Sequence, residues 1–215
     1  MTSDGIHIAV HQGDLPAGLR FGDAVAIDTE TTGLRPDRDR LCLVQLFDGE
    51  GGCHLVHFPP SLRPLPGGIF DAPNLCVLLA DEAVTKLFHF ARFDVGMLQR
   101  WLGVSCRPVY CTKIASKLVR TYTDRHGLKE LCRELLGVEL SKEQQSSDWA
   151  APSLSPEQLK YAANDVLHLH RLRQRLDDML AREGRTDLAR ACFGFIEHRA
   201  RLDHAGWPDD DIFAY

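Results

Sequence analysis

The chain has 215 residues, 44% hydrophobic and 26% charged, a globular composition that excludes a disordered, collagenous or coiled-coil chain. Its formal net charge of −5 argues against coating long nucleic acid through a basic face but leaves chemistry at a metal centre open. No apolar run approaches the ~20 residues of a membrane span. The first residues lack the basic-then-apolar order of a secretory signal. Seven scattered cysteines, an odd number with no Cys-x-x-Cys pair, point to buried reduced thiols in a cytoplasmic protein with no membrane partner.

Three strands are expected first, at Ala24–Asp28, Leu41–Phe47 and Cys53–Phe58, separated by turn-rich pieces. The Pro- and Gly-rich stretch Phe58–Pro73 reads as a surface loop, because apolar-periodic segments continue on both sides. A short helix over Asn74–Ala80, a fourth strand over Lys86–Phe90 and a helix over Phe93–Leu102 follow. Helices then dominate: Lys113–Val119, then Leu128–Leu136 with apolar residues at helical spacing and Gly137 at the C-cap position. Ser155-Pro156-Glu157-Gln158 combines a serine N-cap, proline at the first helical position and a capping-box glutamine, and predicts a helix running to about Leu180. A last helix over roughly Asp187–His204 precedes an acidic, aromatic tail. Strands early and helices late predict an α/β domain, a mixed sheet flanked by helices. One domain is expected over residues 1–215, with its core at about 21–183 and a C-terminal helix and tail over 184–215.

Three features carry chemistry. Asp28 and Glu30 stand two apart after an apolar strand, so their side chains share a face, and two adjacent acids repel unless a cation separates them or one is protonated. A solvated strand end is the plain alternative. Asp94 opens the helix after the fourth strand, where an N-cap carboxylate would also fit. Tyr161 and Asp165 stack at i, i+4 on the capped helix, where an amphipathic surface pair is the competing account.

In order along the chain, AIDTETTGL…RDRLCLVQL, FHFARFD and YAANDVLHLHRL resemble the three exonuclease motifs of the DEDD superfamily in its tyrosine branch. KIASKLVRTY, GLKELCRELLGVEL and SKEQQSSDWA are similar to RNase D, and HQGDLP, TYTDRHGLKE and the terminal DIFAY are similar to its alphaproteobacterial relatives, the nano-RNase C oligoribonucleases. One departure is Phe90, where many members carry asparagine. The resemblance implies an RNase-H-like fold, a single-domain α/β architecture, and two divalent ions, Mg²⁺ or Mn²⁺, serving an in-line phosphodiester displacement. It implies that Asp28, Glu30 and Asp165 hold the ion that binds the attacking water. Asp28 also reaches the second ion, supported by Asp94, and Tyr161 orients the water.

Candidate substrate contacts are Thr29, Leu34 (a wedge against the terminal base in relatives), His89, Arg125, His126, Gln145 and Ser146. Lys113, Lys117 and Arg120 recur at one-turn spacing, as a phosphate-facing stripe or a solvated helix face. Trp149 fits packing beneath its loop better than base stacking, and His168 and His170 fit structural or surface roles. The activity implied is 3′→5′ exoribonuclease release of nucleoside 5′-monophosphates from short RNA, dinucleotides above all. Trimming of longer or structured RNA, as in RNase D, and a silent RNase-H-like nucleic-acid-binding module are the alternatives. The short substrate is expected from the lack of a second RNA-gripping domain and from the net charge, and the tail aromatics, poorly placed for solvent unless they dock, predict a homo-oligomer, by resemblance a ring-like octamer, with docking onto the chain's own core as the alternative.

Overall fold

The computed structural model describes residues 2–3 (backbone pairing alone), 6–140 and 147–215. Strand β1 (Thr2–Ser3) pairs antiparallel with β2 (Ile6–Gln12) at one edge of the sheet. The strands β3 (Ala24–Thr31), β4 (Leu41–Phe47) and β5 (Gly52–His57) follow as an antiparallel meander. Helix α1 (Pro73–Ala80), β6 (Thr85–Phe88), α2 (Ala91–Leu102) and β7 (Val109–Cys111) complete the sheet. Its spatial order is β1-β2-β5-β4-β3-β6-β7, with β2 parallel to β5 and β6 parallel to both β3 and β7. The helical part comprises α3 (Thr112–Val119), α4 (Leu128–Leu131) running into a π-helical turn at Cys132–Leu136, α5 (Pro156–Asn164), α6 (Leu169–Arg182) and α7 (Thr186–His204). This is the RNase-H-like α/β architecture, a mixed sheet flanked by helices.

Every residue of β4 is buried, including Gln45. A strand covered on both faces reads as a continuous apolar run, which explains why LCLVQLF was legible to the residue. Three strands escaped the sequence, the two-residue β1, β2 and β7. In β2, IHIAVHQ interleaves histidines with apolar residues and has only weak strand character until it pairs with β5. β7 is three residues long, too short for any periodicity to register.

The predicted helix from Ser155 to Leu180 is two helices. Its start is as expected: Ser155 Oγ accepts from the Gln158 N–H at 3.2 Å and the Gln158 side chain accepts from the Ser155 N–H at 2.9 Å. Its middle is not. The helical repeat lapses after Asn164, and a tight turn carrying Asp165 to His168 joins α5 to α6, with Val166 N–H bonded to Ala163 O at 3.2 Å. Asp165 is therefore the C-cap of α5 rather than an interior residue.

One core runs from Ile8 in β2 to Ala200 in α7. All seven cysteines are free, five of them buried, with Cys76 and Cys192 partly exposed. Among the described residues no helix is long and apolar enough to cross a membrane.

Candidate active site

Asp28 and Glu30 lie within β3 rather than beyond it, on one face, at the C-terminal half of a strand flanked by β4 and β6. The β3–β4 register shifts between Glu30 and Thr31. Such a bulge ends regular pairing and re-aims the last side chains of a strand. Beyond it the loop is fixed by its own polar groups. Asp39, buried, accepts from the Arg35 N–H at 2.9 Å, and a Cβ on Gly33 would meet Asp39 Oδ2 at 2.3 Å, so only glycine lets the loop close this tightly. That loop presents Leu34 with 84% of its surface exposed.

Asp94 arrives from the other side. It is in the first turn of α2 but is not the N-cap; that position belongs to Phe90, whose φ of 74° places it in the left-handed region. A bulky residue there costs about 1–2 kcal/mol relative to an ordinary backbone. Asp94 accepts a 2.7 Å hydrogen bond from Thr29 Oγ1, so this threonine joins β3 to α2 and commits its hydroxyl to a neighbouring acid. Asp28 Oδ2 accepts from Gln45 Nε2 at 3.2 Å, directly across the β3–β4 ladder.

Carboxylate oxygens of Asp28, Glu30 and Asp165 all lie within 4.8 Å of one another. Burial is the first reason that all four acids resist ionisation. It pushes Asp28 well up, reinforced by the charges of Asp94, Asp165 and Glu30. Glu30 rises to about 9 through burial and then the charges of Asp165 and Asp94. Asp94 rises to about 7, with the Thr29 hydroxyl opposing the shift. Asp165 also rises to about 7 by burial, pulled back by the Tyr161 hydroxyl held against it. Burial and the same acids push the Tyr161 phenol up, so it stays protonated as a donor. Buried acids that cannot all ionise without a cation are what a divalent-metal site looks like before loading. The donors are hard oxygens throughout, which suits Mg²⁺ or Mn²⁺.

These residues line one cleft of about 380 Å³ together with Thr29, Leu34, His89, Phe90, Phe93 and Lys113. His89 lines the cleft but is outside the group of converging carboxylates. Its Nδ1 lies 2.9 Å from Thr112 Oγ1, whose own hydrogen goes to Phe88 O at 3.1 Å, and burial holds the imidazole neutral with a pKa lowered to about 3. Trp149 is buried with its ring 6.0 Å from Tyr161 and supports the phenol by packing.

The remaining candidates are placed by their contacts. Arg120 has no exposed surface: it is ion-paired with Glu134 and donates to Arg125 O at 2.7 Å, so it faces no phosphate and the stripe reduces to Lys113 and Lys117. Neither Arg125 nor His126 lines the cleft, and His126 Nδ1 lies 2.9 Å from Ser116 Oγ. Their neighbours Gly127, Leu128, Lys129 and Glu130 line it instead. Gln145 and Ser146 lie outside the described residues. His170 points Nε2 at Ala24 O, 3.3 Å away, and packs edge-on to Phe47. Sequence reasoning missed Gln45, Phe93 and Lys129. For Gln45 one signal existed, a lone amide in a wholly apolar strand.

Comparison with known proteins places this geometry. The profile of the 3′–5′ exonuclease family matches residues 14–181. The chain belongs to this family, in its RNase D-like branch. Ribonuclease D of Gluconacetobacter diazotrophicus is 39% identical over 79% of the chain, and the matched region is only 41% of that protein's length. NrnC of Brucella melitensis, solved bound to pGG, is 53% identical, superimposes with a TM-score of 0.90, and the match covers 98% of this chain and 99% of the other. NrnC of the same organism has also been solved with bound Mg²⁺, at 52% identity and a TM-score of 0.90 over 98% of this chain and all of the other. The RNase D-like exonuclease is thus NrnC-like along nearly its whole length and shares with the curated RNase D proteins about two-fifths of theirs.

Proposed function

We propose that the protein is a metal-dependent 3′→5′ exoribonuclease that hydrolyses short oligoribonucleotides, dinucleotides above all, to nucleoside 5′-monophosphates. The observation that carries this reading is the convergence of Asp28, Glu30 and Asp165 within 4.8 Å, with Asp94 and Tyr161 in the same cleft. Asp28, Glu30 and Asp165 would hold one divalent ion, and Asp28 with Asp94 would serve a second. Bound divalent ions supply Lewis acidity toward the phosphodiester and toward the attacking water. Tyr161, protonated and directed at Asp165, orients that water through its hydroxyl. Thr29 and Gln45 hold Asp94 and Asp28 in position through the hydrogen bonds described above. Leu34, exposed on its rigid loop, wedges against the 3′-terminal base. His89 contributes to the cleft wall as a neutral ring.

The pGG bound to the Brucella NrnC supports the short substrate, as does the likeness over both full chains. A second reading, trimming of longer RNA, is favoured by the similarity to Escherichia coli RNase D, an exoribonuclease involved in structured RNA processing, at 28% identity and a TM-score of 0.71. A single experiment separates them: hydrolysis of a 5′-phosphorylated dinucleotide and a 20-mer under identical Mg²⁺ and salt, before and after EDTA. The expected result is kcat/KM falling steeply with length, mononucleotide products, loss of activity in EDTA and its return with Mg²⁺ or Mn²⁺. Equal efficiency on the 20-mer defeats short-substrate preference, and turnover after exhaustive chelation defeats the metal mechanism. We propose also that the chain assembles into a homo-oligomer, an octamer by likeness. Ile212, Phe213 and Tyr215 in the tail are exposed at 48, 76 and 128%, and a monomeric mass by light scattering would end that proposal.

A further inference from the structure

Beside the carboxylate cleft lies a second cavity, of about 500 Å³, between α3 and α7. Its walls are apolar, formed by Ile114, Cys192, Phe195 and Ile196. Phe90 and Lys113 line both cavities and so stand at the boundary between them. Arg92 and Arg199 reach the rim but are committed. Both pair with Asp203, Arg92 at 2.6 Å and Arg199 at 3.1 Å, and both also donate to tail carbonyls. Lys113 and Lys117 have no carboxylate partner among the described residues and stand one turn apart on α3, at the mouth.

Phe90 is the informative residue. It is 45% exposed, its backbone is left-handed, and it offers no side-chain cap to the helix it begins. Glycine or asparagine would take that backbone at far lower cost. A strained, half-exposed ring that stands 4.1 Å from an ammonium, between the carboxylate cleft and an apolar groove, has the makings of a ligand contact. The ligand must pair a flat apolar face with an adjacent anionic group, and a nucleotide does both. Base–aromatic stacking tolerates any base because each has a π-face.

We propose that the α3–α7 groove is the subsite for the 5′ nucleoside of the substrate: its base stacks on Phe90 over the apolar walls while Lys113 and Lys117 face the flanking phosphate. This inference rests on the exoribonuclease reading, which places the 3′ nucleoside on Leu34 and leaves the 5′ side to be accounted for. It makes Phe90 a determinant of substrate binding outside the chemical step.

The test uses the full-length protein with Mg²⁺, a 5′-phosphorylated diadenylate, and the same compound with an abasic 5′ riboside. Phe90→Gly should keep or raise Tm, because strain is relieved, and should raise KM for diadenylate by about 5–150-fold, the range of base–aromatic stacking, with kcat little changed. The abasic compound should show the same loss on the wild-type protein and little further loss on Phe90→Gly. Ala191→Trp, which fills the groove from an exposed position on α7, should raise KM without altering the mass by light scattering. Unchanged KM in Phe90→Gly, or losses from variant and abasic substrate that multiply, would overturn the subsite. So would coupling of Phe90 to an abasic 3′ riboside instead. A changed mass with unchanged KM in Ala191→Trp would make the groove a contact between copies of the chain. Failure of the wild-type protein to cleave diadenylate at all would instead sink the exoribonuclease reading itself.

Discussion

Charge is buried twice in this protein, in opposite ways. Around Arg120 a guanidinium without exposed surface is fully answered: Glu134 pairs with it, Ser116 Oγ and the Arg125 carbonyl accept from it, and Tyr122 donates to Glu134 at 2.6 Å. Around Asp28 four carboxyl groups are gathered, with a threonine, a glutamine, a tyrosine and nearby backbone N–H groups to satisfy them but no paired cationic side chain among the described residues. The first cluster balances its charge and ties the segment after α3 to the π-helical turn. The second is buried without a countercharge and sets like charges facing one another, so its acids rise in pKa and wait for a cation. The same physical penalty yields structure in one place and chemistry in the other, and the difference lies in whether an opposite charge is built in.

The comparison breaks most decisively at the acids. Asp28→Ala or Asp165→Ala should lower turnover of a dinucleotide by orders of magnitude while leaving the metal-free Tm equal or higher, because removing one acid relieves repulsion. A lowered metal-free Tm would show that the acids hold the fold together. Tyr161→Phe, next in size, should reduce kcat by a factor of ~10²–10⁴, the usual range for a proton-handling group, with KM little changed. A full kcat would assign the phenol to packing with Trp149.

Glu134→Ala probes the other cluster. Arg120 would be left buried and unpaired, at a cost of about 3 kcal/mol in denaturant unfolding, while kcat per folded molecule is retained. No loss of stability would mean that the remaining acceptors suffice for Arg120.

The smallest effect, and the one that sharpens the contrast, is in pH. Asp94 and Asp165 are raised to about 7 and Glu30 to about 9. The folded chain thus holds protons that the unfolded chain releases, and that stability is complete below the unfolded carboxyl pKa values of about 4 and is lost as pH rises from there through 7 for Asp94 and Asp165 and on toward 9 for Glu30. Glu134 is shifted the other way, lowered from 4.5 by its hydrogen bond to Arg120, so its contribution is present above its unfolded pKa and lost on acidification. Metal-free Tm should therefore decline from about pH 5, more steeply below 7 and more gently from there toward 9, and saturating Mg²⁺ should restore more at the alkaline end. Glu134→Ala should leave that alkaline slope unchanged. A flat profile without metal would contradict the crowding of the acids.

What the amino-acid order determined by itself was local. Leu41–Phe47 is apolar on both faces and was readable as a buried strand, and the Ser155 capping box set the start of α5 because its partners are three residues apart. Type and spacing raised Asp28, Glu30, Asp94, Tyr161 and Asp165 each against a plain alternative, the resemblance to the exonuclease motifs joined them, and all five line one cleft. The tertiary structure decided whatever depends on residues distant in sequence. It paired β2 with β5, set Gln45 across from Asp28, turned Arg120 from a candidate phosphate contact into a buried anchor, and broke the long helix where Asp165 must meet β3. It also gave Phe90 a left-handed backbone, which no propensity favours and only the packing around α2 can impose. Periodicity and caps act over one or two turns of chain, whereas burial, like-charge crowding and strain exist only once the sheet has brought its far ends together.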